Sequence, residues 1–382
     1  MNPDETDEAA EPDSGEVHQI RETLIPELLV NAFDALLETV PPVEALEAIE
    51  PHARHVGMAL ALKARRRFGM GGKGSEAVAL PLYWGHLATS GNRCDPPLIY
   101  EEGAIAEVYY CPVARARPEI CTAVSHHAAE GVLEAVNPEY EVLFTHHIAK
   151  GDQKCSYTIR RRAGGEPLTD PGPVLKEMEA IDEGEEERSL RAAWIWGEML
   201  TCFTKAALEL QVEDRFLEEV RTPDTVAGKQ IGLFLINEHE SRIEGPSGIR
   251  LAIDKCHAAL LQQGSSSVSE GTVIGVIRSC PFQNAPVQVC RQIGFALDGL
   301  VRSIDPDLEF AYGEMMSQGD ERCTWSVHQK GSDRVDQASP RRSDPEDPVA
   351  ELSMRFARGE ISEEEFNRKM TLIIMDRLPD PD

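Results

Sequence analysis

Basic residues are scarce in this chain. Lys and Arg together number 38 against 66 Asp and Glu, a formal net charge of −28, and Arg outnumbers Lys. So acidic a chain excludes the basic patches that nucleic acid and anionic membranes require. It suits a salt-rich cytoplasm, or simply high solubility. No apolar run approaches membrane-spanning length. The opening stretch lacks the basic start and apolar core of a secretory leader. Residues 1–15 read as a disordered acidic tail and the protein as cytoplasmic. A CxxC pair, a serine triad and a nucleotide loop are missing too. The glycine-rich run Gly69–Ser75 has Arg67 where a phosphate loop needs its first glycine, so it reads as a turn.

What the chain has is one cysteine-bearing segment written twice. The first copy runs from Cys111 to Ile159 and the second from Cys280 to Val327. Cys-Pro opens both, and a second cysteine follows ten residues later, at Cys121 and Cys290. Glu130-Gly131 then answers to Asp298-Gly299, Asn137-Pro138 to Asp305-Pro306, and Glu141 to Glu309. Gly151-Asp152 and Gly319-Asp320 precede the third cysteines, Cys155 and Cys323. The offset is 169 residues at the first two cysteines and 168 from the glycine onward, so a one-residue deletion separates the copies. Such a repeat implies two copies of one module.

Each copy reads as strand, Cys-Pro loop, helix, Asx-Pro turn and strand hairpin, which is an α+β pattern with helices packed on an antiparallel sheet. In the first, these are Ile105–Tyr110, Ile120–Val136, Tyr140–Ile148 and Ser156–Arg160. In the second they are Val273–Ile277, Val289–Val301 and the hairpin Leu308–Val327. A helix with the apolar stripe Leu29, Phe33, Leu36, Leu37 and Val40 precedes the first copy and stops at Pro41-Pro42. A second helix follows, over Val43–Phe68. The expected organisation is a first module at 16–162, a linker at 163–188, a second module at 189–330, a linker at 331–346 and a small helical hairpin at 347–378. In that hairpin Pro348 suits a helix start, Gly359 a stop, and Ser362 with Glu365 a capping box.

Six of the nine cysteines belong to the repeat. In a reducing compartment they serve as thiols or metal ligands more readily than as disulfides. Three thiols fall one short of a zinc tetrahedron. The Gly151-Asp152 and Gly319-Asp320 turns fold each hairpin back, bringing residues eight or nine before the last cysteine close to it. That points to Cys111, Cys121, Cys155 and His146 in one copy, and to Cys280, Cys290, Cys323 and Glu314 in the other. His147 is the alternative ligand, because strand alternation lets only one of the two histidines face the site. An iron–sulfur cluster also fits three cysteines and an odd ligand. Two other readings compete: buried thiols acting as small hydrophobes, and a redox pair of Cys111 with Cys121. His126 and His127, on the helix after Cys121, are candidates for general acid–base work.

The elements Cys111-Pro112, Pro118-Glu119-Ile120-Cys121, Asn137-Pro138 and Gly151-Asp152 to Cys155 resemble the L-2-amino-thiazoline-4-carboxylic acid hydrolase family. That family is similar in turn to the 4-vinyl reductase domain, a small-molecule-binding α+β module of microbial sensors. The second copy departs from the pattern at Pro286-Val287 and Asp305. The resemblance implies zinc held by Cys121 and Cys155, and by Cys290 and Cys323. A further sensor cysteine falls on His147 and Met315. Residues 347–373 resemble the short C-terminal domain called SHOCT, which implies protein interaction or self-association through 347–378. Three functions are therefore expected in competition. One is a tandem binding or sensor protein for a small apolar or aromatic molecule. The others are a hydrolase opening a cyclic C–N bond and an interaction scaffold.

Overall fold

The described residues form two copies of one helix–sheet unit in the computed structural model. The structure describes residues 14–69, 72–90, 93–100, 103–111, 117–162, 184–239, 243–269 and 271–330. The expected tail at 1–15 lies almost wholly outside these residues, and the expected hairpin at 347–378 entirely so.

The first unit begins with helices α1 (Ser14–Thr39), α2 (Pro42–Phe68) and α3 (Ser75–Thr89). Strands β1 (Leu98–Tyr100) and β2 (Gly103–Val108) follow. Helix α4 starts at Pro118–Ile120, passes through a π-helical turn at Cys121–His126 and ends as His127–Val136. Strands β3 (Tyr140–His146) and β4 (Cys155–Arg161) complete the unit. The second unit repeats the order: α5 (Glu185–Glu209), α6 (Glu213–His239), α7 (Gly245–Ala259), β5 (Gln263–Ser269), β6 (Thr272–Ser279), α8 (Val287–Ile304), β7 (Leu308–Tyr312) and β8 (Cys323–Gln329).

Each unit has a four-stranded antiparallel sheet, in orders β1-β2-β4-β3 and β5-β6-β8-β7. Helices α3 and α4 pack on the first sheet, and α2 lies across α4. Helices α7, α8 and α6 take the same places on the second. The glycine-rich run at 69 is a helix stop: Gly69 adopts φ +63° and its N–H returns to the Arg65 carbonyl.

The α2–α4 crossing is very close, and it recurs. A Cβ on Gly57 would sit 1.7 Å from the Ala128 carbonyl oxygen, and one on Gly228 1.7 Å from that of Ala296. Gly131 and Gly299 meet the facing backbone at Arg54 and Thr225 from the other side. The copying thus extends upstream of the cysteine segment, to helices whose sequences show little likeness.

The first helices are exchanged. Helix α1 packs chiefly on α6 and α7 of the second unit, and α5 packs on α2 and α3 of the first. Phe33 of α1 meets Phe203 of α5 with ring centroids 5.6 Å apart. Consequently one apolar cluster reaches into both units, from Ile20 and Phe33 to Phe203, Ile293 and Trp325, while a second, around Val78, Tyr140 and Ile159, backs the first sheet.

Candidate functional site

The recurring Gly-Asp turns set the geometry of both cysteine clusters. Gly151 and Gly319 adopt φ +93° and +92°, the left-handed region that glycine tolerates without strain. Asp152 Oδ2 accepts the His147 N–H at 2.8 Å, and Asp320 Oδ2 accepts the Met315 N–H at 2.8 Å. The next N–H, of Ile148 or Met316, then donates to Cys155 or Cys323 sulfur at 3.3 and 3.2 Å. The recurring Asn137 and Asp305 close Asx turns onto the Glu139 and Asp307 N–H groups. Glu141 and Glu309 pair across the hairpin with Arg160 and His328.

The three thiols of each copy share one neighbourhood, but neither trio draws together into a group of ligand atoms within 4.8 Å of one another, so the expected three-cysteine sets are not assembled. Burial pushes Cys121 up to about 12, and Cys111 and Cys155 lie near enough that charge on either raises it further. Burial likewise takes Cys290 to about 12, with Cys280 and Cys323 acting on it in the same way. None of the nine cysteines is in a disulfide. Neutral thiols prevail at physiological pH unless a cation displaces their protons.

The fourth ligand falls elsewhere than expected. His146 is exposed, its Nδ1 3.3 Å from the Thr145 hydroxyl. Glu314 is exposed too and pairs with Arg322 at 3.0 Å. The β3–β4 pairing shifts register between Phe144 and His146, and this bulge turns His147 inward to 8 % exposure. The expected ligands His146 and Glu314 are therefore corrected: the inward position belongs to His147 in the first copy and to Met315 in the second.

In the first copy Cys121, His126 and His147 offer ligand atoms that all lie within 4.8 Å of one another. A tetrahedral ion binds such atoms at about 2.0–2.3 Å, so the group is one that could hold a metal ion. Cys111 and Cys155 flank this trio without joining it. His126 stacks on Phe144, with centroids 4.1 Å apart and planes at 12°, and lies 5.4 Å from the His147 ring. Burial lowers both histidines, His126 to about 4, so both rings are neutral and able to ligate. The His126 Nε2 is buried without a hydrogen-bond partner. His127 faces away, hydrogen-bonding Glu130 at 3.0 Å. With Glu50 and Glu130 it forms a second carboxylate–histidine group, but Arg54 already bridges Glu50, Glu130 and Glu134 there.

The π-helical turn is what aims His126. Its six residues, Cys121–His126, span the point where the offset between the copies drops from 169 to 168. The extra residue of the first copy is absorbed as a π-turn, a local widening common at functional sites. Because Ala128 and Ala296 hold the same place at the helix crossing, His126 corresponds to Gly294 and His127 to Phe295.

A cavity of about 110 Å³ adjoins the trio and shares Cys121 with it. Cys111, Ser125, His86 and Tyr157 add polar atoms, while Val56, Leu60, Phe144 and others make most of the wall apolar. Helix α5 closes it with Ile195, Trp196 and Met199, so the second unit supplies one wall of the first unit's cavity. The Tyr157 hydroxyl is buried and unpartnered. His86, half-buried and lowered to about 4 by desolvation, sits 5.4 Å from the Tyr157 ring. His257 repeats that arrangement 5.3 Å from Trp325 and is lowered to about 3. This pair of histidines, each beside an aromatic ring, recurs outside the cysteine segment, and alignment of the two upstream halves is the signal that finds it.

In the second copy larger groups occupy the corresponding region. Trp325 stands where Tyr157 does and needs Gly275 opposite, since a Cβ there would lie 2.2 Å from the indole. Tyr312 replaces Phe144 and lies against Gly294, and Met315 replaces His147 and packs into the core. Cys280 accepts from Gln262 at 3.3 Å, and Cys290 lies 3.1 Å from the Ser317 hydroxyl.

The profile of SHOCT, the Short C-terminal domain, matches residues 347–373. No curated protein and no solved structure matches the chain. Among the described residues no helix is long and apolar enough to cross a membrane.

Proposed function

We propose that this protein binds a small, largely apolar molecule in the cavity of its first unit, beside a Cys121–His126–His147 metal site, and that the second unit is its structural counterpart. The observation that carries this reading is the asymmetry between the copies: one pairs a cavity with three convergent donors, whereas the other has Gly294 and Met315 at the histidine positions and bulkier rings nearby. The donor set suits zinc, which thiolate and imidazole ligands favour. The cavity, at about 110 Å³ somewhat smaller than the roughly 150 Å³ that holds benzene in an apolar interior, suits a molecule of no more than about one ring. Tyr157 and Ser125 would meet a single polar group on it. The resemblance to the 4-vinyl reductase domain agrees with such a ligand. The C-terminal unit would then serve as the attachment point to a protein partner or a second copy.

The hydrolase reading would gain from a thiol poised as thiolate. Burial raises every thiol of the first copy's cluster for which a shift is resolved, which favours binding over nucleophilic attack.

The test is elemental analysis of the purified full-length protein, followed by titration of the metal-loaded protein with benzene, using thermal shift as the readout. About one zinc per chain, lost in Cys121→Ser, supports the metal site. A saturable rise in melting temperature, abolished by filling the cavity with Val56→Phe, supports the ligand site. Absence of metal together with no benzene response would end the reading.

A further inference from the structure

Cys121 belongs to two features at once. Its sulfur and the ring nitrogens of His126 and His147 are three donors that converge, and its side chain lines the cavity against helix α5. Three protein ligands leave one position of a tetrahedral ion open, the arrangement of sites that take an exogenous group rather than of sealed structural ones. Cys155 does not close it as placed, because its sulfur is not among the ligand atoms that lie within 4.8 Å of one another.

The comparison between the copies points the same way. Where His126 and His147 give way to Gly294 and Met315, the rings around the site also change, to Trp325 and Tyr312. The donors and the rings beside them thus change together. An ion serving only to brace the hairpin would not require the neighbouring space to be open, and the second hairpin holds the same Gly-Asp turn and N–H to sulfur bond without histidine.

We infer that the cavity's ligand is itself the fourth ligand of the ion: a small apolar molecule of about one ring carrying a nitrogen or sulfur donor, which enters against Ile195, Trp196 and Met199 and coordinates beside Cys121. This rests on the metal-and-cavity reading above and adds that the two are one site. Binding is a Lewis acid–base association in which the donor lone pair replaces a water ligand. No electron changes hands. The donor atom faces the ion and the rest of the molecule faces the apolar wall, so selectivity comes from both.

Pyridine and benzene have the same shape and differ in one donor atom, which makes them the discriminating probes. Full-length protein is loaded with cobalt(II), whose visible ligand-field bands report its coordination shell, and titrated with each. The inference expects a saturable change in those bands with pyridine and none with benzene, although benzene competes with pyridine for the cavity. In Val56→Phe the pyridine response should weaken at least tenfold. His147→Met and His126→Gly import the second copy's residues and should lose cobalt affinity while leaving the far-ultraviolet circular dichroism unchanged. Pyridine that raises the melting temperature without altering the bands overturns the inference and leaves the underlying reading intact. A spectral response undiminished in Val56→Phe also overturns it, because pyridine then reaches the ion from solvent. Failure to take up cobalt overturns both.

Discussion

Asp224 is the residue whose burial has the clearest thermodynamic consequence. It is fully buried on α6, where Asn31 of α1 donates to its Oδ1 at 2.8 Å. Gln292 of α8 lies beside it and donates to the Leu28 carbonyl at 3.2 Å. Asp224 Oδ2 and Gln292 Oε1 are both buried without a donor. Desolvation holds the Asp224 carboxyl well above the ordinary range, and a proton on Oδ2 would let it donate to Gln292. An acid raised on folding binds its proton more tightly in the native state. Its contribution to stability is therefore present at low pH and is lost as pH rises from the unfolded value of about 4 through the raised native value. Asp224→Asn keeps the acceptor for Asn31 and supplies a permanent donor. It should raise stability at pH 7–8 by about 1–3 kcal/mol, with the gain vanishing in acid, as measured by urea unfolding across pH.

The π-turn and the α2–α4 crossing are the elements that make the first copy different and hold it together. Deleting Thr122, the exposed residue of the π-turn, would restore a plain α-helical register like that of α8. One residue of register is about 100° of rotation, so Cys121 would swing away from His126. The expected result is a folded protein, with circular dichroism unchanged, that no longer takes up zinc by elemental analysis. The crossing is less forgiving. Gly57→Ala or Gly228→Ala places a methyl group against backbone on the facing helix, and backbone cannot rotate aside. Either substitution should cost about 2 kcal/mol or more in chemical denaturation. The resulting destabilisation should be similar in the two copies, because the crossing is the same in both.

Exchange of the first helices turns two modules into one molecule. Arg21 of α1 donates to the Ala259 carbonyl at the end of α7 at 2.8 Å, while Glu16 reaches the buried Lys255 and lies 2.7 Å from His239. On the other side the Arg191 guanidinium lies over the Trp84 ring at 4.3 Å, and Arg67 pairs with Glu187. Each half thus completes the other's core, so cutting the chain between Arg162 and Gly184 should leave the halves associated. Co-expressed fragments should elute as a 1:1 complex by light scattering, and each fragment alone should self-associate or aggregate. The ligand cavity should survive in the complex and be lost in the isolated first half, because its wall of Ile195, Trp196 and Met199 belongs to α5.

Much of this was legible in the residues alone, for reasons of local chemistry. Glycine before aspartate makes a tight reversal whatever surrounds it, Asx-Pro makes a turn, and paired cysteines at matching offsets mark a duplicated α+β unit. The deletion between the copies was legible too, as a change of offset, but not its form: whether an extra residue bulges a loop or widens a helix depends on what the helix packs against. Strand alternation left His146 and His147 as alternatives, and a bulge set by the partner strand turned the second one inward. Likewise α1 and α5 are amphipathic helices in sequence, and nothing local says which unit each covers. Burial of apolar area is indifferent to chain connectivity, so the folded whole, with its shared core and close glycine crossings, settles that assignment and thereby gives the cavity its last wall.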